Sequence, residues 1–143
     1  MARCDFYVLP SSDVEARIHF LYKLLEKIVS LGHKVYIRAA SEQQAKLLDN
    51  RIWDYQDQAF LPHSLVAEGL ESPIEIGYGD AQPTHKDIFL NFDLEIPDQA
   101  LSFNRIIEIV VQEQNILEAT RCNFRHYKKA GYDIHMNDMR KKN

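Results

Sequence analysis

Arg121, Arg125 and Lys128 are separated by four and then three residues, the interval that stacks side chains on one face of a helix. At 100° per residue they fall within an arc of roughly 60°. Phe124 borders this stripe, and Tyr127 lies beyond it. Arginine's planar fork suits a carboxylate, and a flanking aromatic can hold an apolar side chain, so the pattern fits a ledge for an acidic ligand. A plainer reading also fits. The helix dipole favours cations near a C-terminus, and repulsion along the stripe costs only about a few tenths of a kcal/mol per pair.

A second constellation joins Ile52-Trp53-Asp54-Tyr55 to Phe60-Leu61-Pro62-His63. Large apolar residues at a helix end and in the following loop either fold inward, with the tryptophan plugging a sheet edge, or form an exposed patch that marks a partner site.

Other chemistry is missing. The first strand turns into helix through Leu9-Pro10-Ser11-Ser12, without the glycines that let backbone amides approach a phosphate. Gly77-Tyr-Gly79 is a lone G-x-G that reads as a turn. The chain has no H-E-x-x-H, C-x-x-C or G-x-S-x-G, and its six histidines share no metal-ligand spacing. No catalytic residue, metal or cofactor is expected.

The 143 residues, 45% hydrophobic and 27% charged, are the size and composition of one ordinary globular domain. A chain this long buries roughly 70% of its unfolded surface, enough to do without a disulfide or metal. No apolar run approaches the ~20 residues needed to span a bilayer. The N-terminus leads directly into an apolar run with no signal-peptide pattern. Cys4 and Cys122 suit a reducing cytoplasm, as small core residues rather than a bridge. The net charge of -4 is uneven: residues 121–143 carry seven basic and two acidic side chains, +5, leaving -9 on residues 1–120. A positive pole on an acidic body points to an anionic partner.

These residues need elements to position them. Residues 4–9 read as a strand stopped by Pro10. Ser12 with Glu15 forms a capping-box pattern before Val14, Ile18, Leu21, Leu25 and Ile28, one apolar helix face ending at Gly32. A strand at 34–39 and a helix opened by Ser41 and Gln44 follow. Strand, helix, strand, helix implies a parallel α/β sheet. Residues 60–70 read as a connection, 74–78 and 87–92 as strands, 105–111 as a buried strand, 112–130 as the last helix, and 132–135 as a short extended segment. The expected fold is a three-layer α/β sandwich around a mostly parallel or mixed sheet, like a nucleotide-binding fold without its phosphate loop. The expected division is a domain over residues 1–135 and a basic tail over 136–143.

Several stretches, in order, resemble the chi subunit family of bacterial DNA polymerase III. They are Asp5-Phe-Tyr-Val-Leu, Glu42-Gln-Gln-Ala-Lys-Leu-Leu-Asp running on to Ile52-Trp53, Ala59-Phe-Leu-Pro-His-Ser-Leu, Pro73-Ile-Glu-Ile, Asp87-Ile-Phe-Leu-Asn-Phe, and Arg121 through Tyr127-Lys-Lys-Ala-Gly131-Tyr132. The Phe-x-Pro-His following Leu-Asp-x-x-x-Trp is the most specific. The resemblance implies a mixed-sheet α/β fold, no catalysis and a cytoplasmic place in the replisome. It also implies two partners: the acidic, Pro-Phe-ending C-terminal tail of single-stranded-DNA-binding protein, and the psi subunit that leads to the clamp loader. DNA would be met only indirectly. By position, the tail site falls at Arg121, Phe124 and Arg125 with Tyr127 and Lys128 nearby, and the psi surface at Trp53, Phe60 and Pro62. Phe124 stands where the family has a familiar tyrosine, and residues 136–143 match poorly.

Two rivals come from other classes. A single-stranded nucleic-acid-binding module would use the +5 end for phosphates, with Phe124 and Tyr127 as stacking platforms, against an acidic remainder. A small-molecule enzyme would use a pocket at the strand ends.

Overall fold

In the computed structural model the described residues are 2–55, 61–66, 69 and 72–140. They form strands β1 (Arg3–Val8), β2 (Val35–Arg38), β3 (His63–Leu65), β4 (Ile74–Gly77), β5 (Ile88–Asn91), β6 (Arg105–Val110) and β7 (Asp133–Asp138). The helices are α1 (Glu15–Ser30), α2 (Glu42–Tyr55) and α3 (Gln114–Lys129), with a 3₁₀ turn at Asp98–Ser102. One seven-stranded sheet runs in the order β3-β4-β2-β5-β6-β1-β7. Every pairing described is parallel, so the sheet is not mixed.

The layers follow from the two-residue period of a strand. Tyr7 of β1 meets Phe20 of α1, with ring centres 5.1 Å apart. Its neighbour Phe6 points the other way and meets Phe124 and Tyr127 of α3 at 5.6 and 5.9 Å. Helices α1 and α3 therefore cover opposite faces, giving the expected three-layer α/β arrangement. Helix α2 joins α1 on its face: Tyr22 stacks on Tyr55 at 4.2 Å, and Arg51 makes a fork-to-fork pair with Glu15 at 2.7 and 2.8 Å. Strands covered on both faces need apolar side chains at successive positions. Residues 106–111 are accordingly all buried, including one carboxylate, Glu108.

The local signals fared unevenly. Ile18, Leu21, Leu25 and Ile28 are buried as their spacing predicts, whereas Val14 is exposed. Gly32 adopts φ +79°, the left-handed conformation expected of a residue that stops a helix. At α2, Gln44 N–H donates to Ser41 Oγ (3.2 Å), while Gln44 Oε1 turns back to accept from Ala40 N–H (2.6 Å). The Ser12–Glu15 box does not form. Asp13, a nearer and ionisable acceptor, takes the Glu15 N–H at 3.0 Å. The connection read over 60–70 contains β3. The last extended segment runs on to Asp138, so the sheet includes three residues assigned to the tail. Cys4 is buried, but Cys122 is exposed on α3 rather than in the core.

Gly77, in the lone G-x-G, ends β4 against Tyr36. A Cβ there would stand 2.6 Å from Tyr36 Oη and 2.9 Å from Ala81 Cβ. Tyr36 is fully buried against Phe89 and Phe103 and has no room to withdraw. Gly77→Ala is expected to cost about 1–3 kcal/mol by overpacking. A fall in the urea midpoint at unchanged slope would register it.

Candidate peptide-binding face on the last helix

The orientation of α3 is set from inside the protein. Glu108 of β6 shares a sheet face with its register partner Phe6, beneath α3. Its carboxylate accepts a short hydrogen bond from Tyr127 Oη and further bonds from Asn91 Nδ2 (3.0 Å) and Asn123 Nδ2 (3.3 Å). Burial pushes its pKa from 4.5 up to about 7, while these hydrogen bonds and the Arg17 guanidinium pull the other way. Arg17 is itself buried. It donates from Nε to Ile109 O at 3.1 Å and lies 4.3 Å over the Phe92 ring.

Helix α3 begins with Glu113 accepting the Asn115 N–H at 2.7 Å. Ile116, Asn123 and Tyr127 are its buried residues, with Thr120 half-buried on the same side. Inward steps of four, three and four leave Arg121, Arg125 and Lys128 outside, and all three are exposed. Tyr127 departs from expectation. Its ring is fully buried and its hydroxyl is committed to Glu108, so it cannot touch a ligand on the surface.

Phe124 is half-buried between the two sides. With Phe6, Thr120, Arg121, Arg125 and Met136 it lines an open hollow of about 280 Å³. Phe6, Phe124 and Met136 form its apolar floor, and the two arginines stand at its rim. Lys128, one turn beyond, is not among the lining residues. Met136 comes from the segment read as tail and reaches the hollow because β7 pairs it with Phe6. Parallel pairing of β7 with β1 would have to be known for sequence reasoning to find it.

The charges of this face are distinctive. Arg3 and Arg105 pair with Asp5 at 2.6 Å, Arg51 with Glu15 at 2.7 Å, Arg140 with Asp138 at 2.7 Å and Arg38 with Asp93 at 3.5 Å. Arg17 is held by carbonyls inside the fold. Among the described residues, Arg121 and Arg125 are the arginines without an ion-pair or hydrogen-bond partner. Lys141 and Lys142 lie outside the described residues.

The second cluster is split. Trp53 is 58% exposed near the end of α2, its ring centre 4.9 Å from that of His63. His63 is held by Leu61 O through Nδ1 (2.8 Å) and faces Asp49 through Nε2 (3.2 Å). Pro62 is half-buried beside the fully buried Leu61. Phe60 lies outside the described residues. Trp53 therefore does not plug the sheet edge.

At the carboxyl ends of β3 and β4, where the enzyme reading looks for a pocket, a cavity of about 320 Å³ is lined by Ala45, Leu65, Ile76 and Tyr78, with Glu42 and Lys46 beside them. Among the described residues no cluster of His, Cys, Asp and Glu is placed to hold a metal ion. None of their helices is long and apolar enough to cross a membrane.

Residues 1–135 match the family described as DNA polymerase III chi subunit, HolC. The chain belongs to this family. A DNA polymerase III subunit chi from Pseudomonas aeruginosa is 41% identical over 134 residues, 94% of each chain. The subunit from Haemophilus influenzae is 30% identical over 133 residues, covering 91% of this chain and 92% of its own. That from Escherichia coli is 25% identical over 141 residues, covering 94% and 96%. The family places the protein in DNA replication as an accessory, not catalytic, component of DNA polymerase III. A face that binds is therefore the feature to explain.

The buried carboxylate makes α3 testable. Between pH 4.5 and about 7 the folded protein keeps a proton on Glu108 that the unfolded chain releases. This group therefore lowers stability as pH rises through that window and has no further effect above it. Glu108→Gln removes the titration, so its urea midpoint relative to wild type should improve from pH 5 to pH 8. Tyr127→Phe, which leaves the buried carboxylate short of a donor, should cost about 1–3 kcal/mol at pH 8.

Proposed function

We propose that the protein is a non-catalytic adaptor of DNA polymerase III. It captures the acidic, Pro-Phe-ending C-terminal tail of single-stranded-DNA-binding protein on α3 and joins it, through psi, to the clamp loader. One observation carries the first half of this reading: Arg121 and Arg125, unlike every other arginine described, have no carboxylate or carbonyl of their own, and they border an apolar hollow. An acidic tail with a terminal aromatic supplies both missing halves. Its carboxylates meet Arg121, Arg125 and, further out, Lys128; its phenyl ring settles on Phe124 and Met136, which the buried Phe6 backs. Phe124 brings no hydroxyl, so here the aromatic contact is apolar.

Trp53 supports the second half. A tryptophan more than half exposed and braced by His63 is the type of anchor that dominates protein interfaces. It lies near the β3 edge of the sheet, whereas the hollow lies at the β7 edge. Six strand spacings of about 4.8 Å separate these edges, roughly 29 Å, so two partners can be held without colliding.

Arg125→Ala is expected to weaken binding of a labelled acidic peptide ending in Pro-Phe at least ten-fold, about 1.4 kcal/mol, with the thermal midpoint unchanged. Fluorescence anisotropy against a scrambled peptide of the same charge is the measurement. Equal affinity for both peptides would reduce α3 to a nonspecific cationic surface.

Trp53→Ala should abolish co-purification with psi while leaving peptide binding within two-fold of wild type. Retention of psi by a folded variant would place the second interface elsewhere.

A further inference from the structure

The hollow on α3 adjoins the edge of the sheet, and among the described residues no strand pairs with that edge. Asp133 N–H donates to Ala2 O and Met139 N–H to Val8 O, so the odd-numbered residues of β7 point their backbone groups at β1. In a strand, alternate residues point the opposite way. The N–H and C=O of Ile134 and Met136 therefore face outward, and no backbone partner takes them among the described residues. Edges of this kind are commonly blunted by proline or lysine; β7 contains neither. Its centre is instead Ile134-His135-Met136, with Met136 55% exposed.

Side chains and backbone meet at one point. Met136 is the register partner of Phe6, so its side chain lies on the α3 face in the hollow, while its amide and carbonyl lie along the rim. We infer that an acidic peptide engages this face by strand addition. Its backbone pairs with Ile134 and Met136 as an eighth strand, and its inward side chains turn over the edge toward Arg121, Arg125 and Phe124. The occupant follows from charge. The unpaired arginines line the hollow at this edge, while Asp138 is matched by Arg140 (2.7 Å) and Asp133 is hydrogen-bonded to His135 (3.0 Å). The mode rests on the tail-binding reading proposed above. It adds a backbone contribution that does not depend on tail sequence, while the hollow reads the terminal aromatic.

Two measurements on the full chain test this. The first is hydrogen exchange followed by NMR, with and without the acidic Pro-Phe peptide. The Ile134 and Met136 amides should exchange at least ten-fold more slowly when the peptide is bound. Those of His135 and Asn137, which face β1, should change little. The second uses peptides N-methylated at alternate backbone positions. One phase of methylation should weaken binding at least ten-fold and the other should leave it within two-fold.

Met136→Pro removes an N–H that the β1 ladder does not use, a substitution an edge strand tolerates. It should bind at least ten-fold more weakly than Met136→Ala, which loses the side chain alone. If Arg125 matters but neither methylation phase does, and the two amides exchange unchanged, strand addition is wrong and the tail site stands. If the unmodified peptide does not bind, the tail site falls and takes this inference with it. Protection of Ile134 and Met136 without peptide, rising with protein concentration, would mean that the edge pairs with a second copy of the chain, and would overturn the proposal.

Discussion

Glu108 sits where a strand covered on both faces has no room for an unpartnered charge. A carboxylate taken out of water costs several kcal/mol unless donors replace the lost hydration. Here the donors are Tyr127, Asn123 and Asn91, and two of the three belong to α3. The helix cannot turn about its axis without stripping the carboxylate of two partners. The buried group thus fixes which side of α3 faces the sheet and, by the 3.6-residue period, which side faces water. The directions of Arg121, Arg125 and Lys128 follow from an interaction that none of them makes.

The same economy shapes the electrostatics. The acidic body uses its carboxylates to bind its own cations: Asp5 holds Arg3 and Arg105, and Glu15 holds Arg51. These pairs differ in weight: Glu15 is exposed, so its pair with Arg51 contributes little to stability, whereas Asp5 is buried and its two arginines replace lost hydration. They do silence those cations as sites for an outside anion. Under the proposed function the arginines left unsatisfied are the ones open to an acidic partner, and the excess negative charge elsewhere discourages polyanions from settling at random. Long-range attraction to the C-terminal pole governs how fast an acidic partner arrives and makes that rate depend on salt. In the same reading, short-range fit in the hollow governs how long it stays.

Much of this was legible in the sequence because it depends on apolar periodicity. Ile18, Leu21, Leu25 and Ile28 announced α1, and the runs at 105–111 and 87–92 announced buried strands. The cation stripe was legible from its own helical spacing, steps of four and three. What escaped has other causes. Strand β3 is only His63-Ser-Leu, too short for any alternation to emerge. The inner face of α3 is largely polar, Thr120, Asn123 and Tyr127, because it serves a carboxylate instead of an apolar core. A reading that expects inward residues to be greasy therefore leaves Tyr127 outside. The available clue was Glu108 itself, a single acid inside an apolar run, which demands donors from whatever packs above it. Met136 escaped because its place depends on register with β1, and register is a property of the sheet that no local pattern records.

The sheet also limits how the two faces can influence one another. Trp53 and the α3 hollow lie near opposite edges of a single parallel sheet. Coupling between them would require an element with two alternative arrangements that both sites bias. The strands between are packed on both faces, and their buried carboxylates, Asp5, Glu75 and Glu108, each already have hydrogen-bond donors within the fold. Under the proposed function, two partners held on such a body affect each other through proximity. Each raises the other's local concentration in proportion to the reach of its flexible segment, with no change in the domain. An adaptor built this way keeps the affinity at one edge independent of occupancy at the other. A substitution at either edge should then alter assembly only through its own contact.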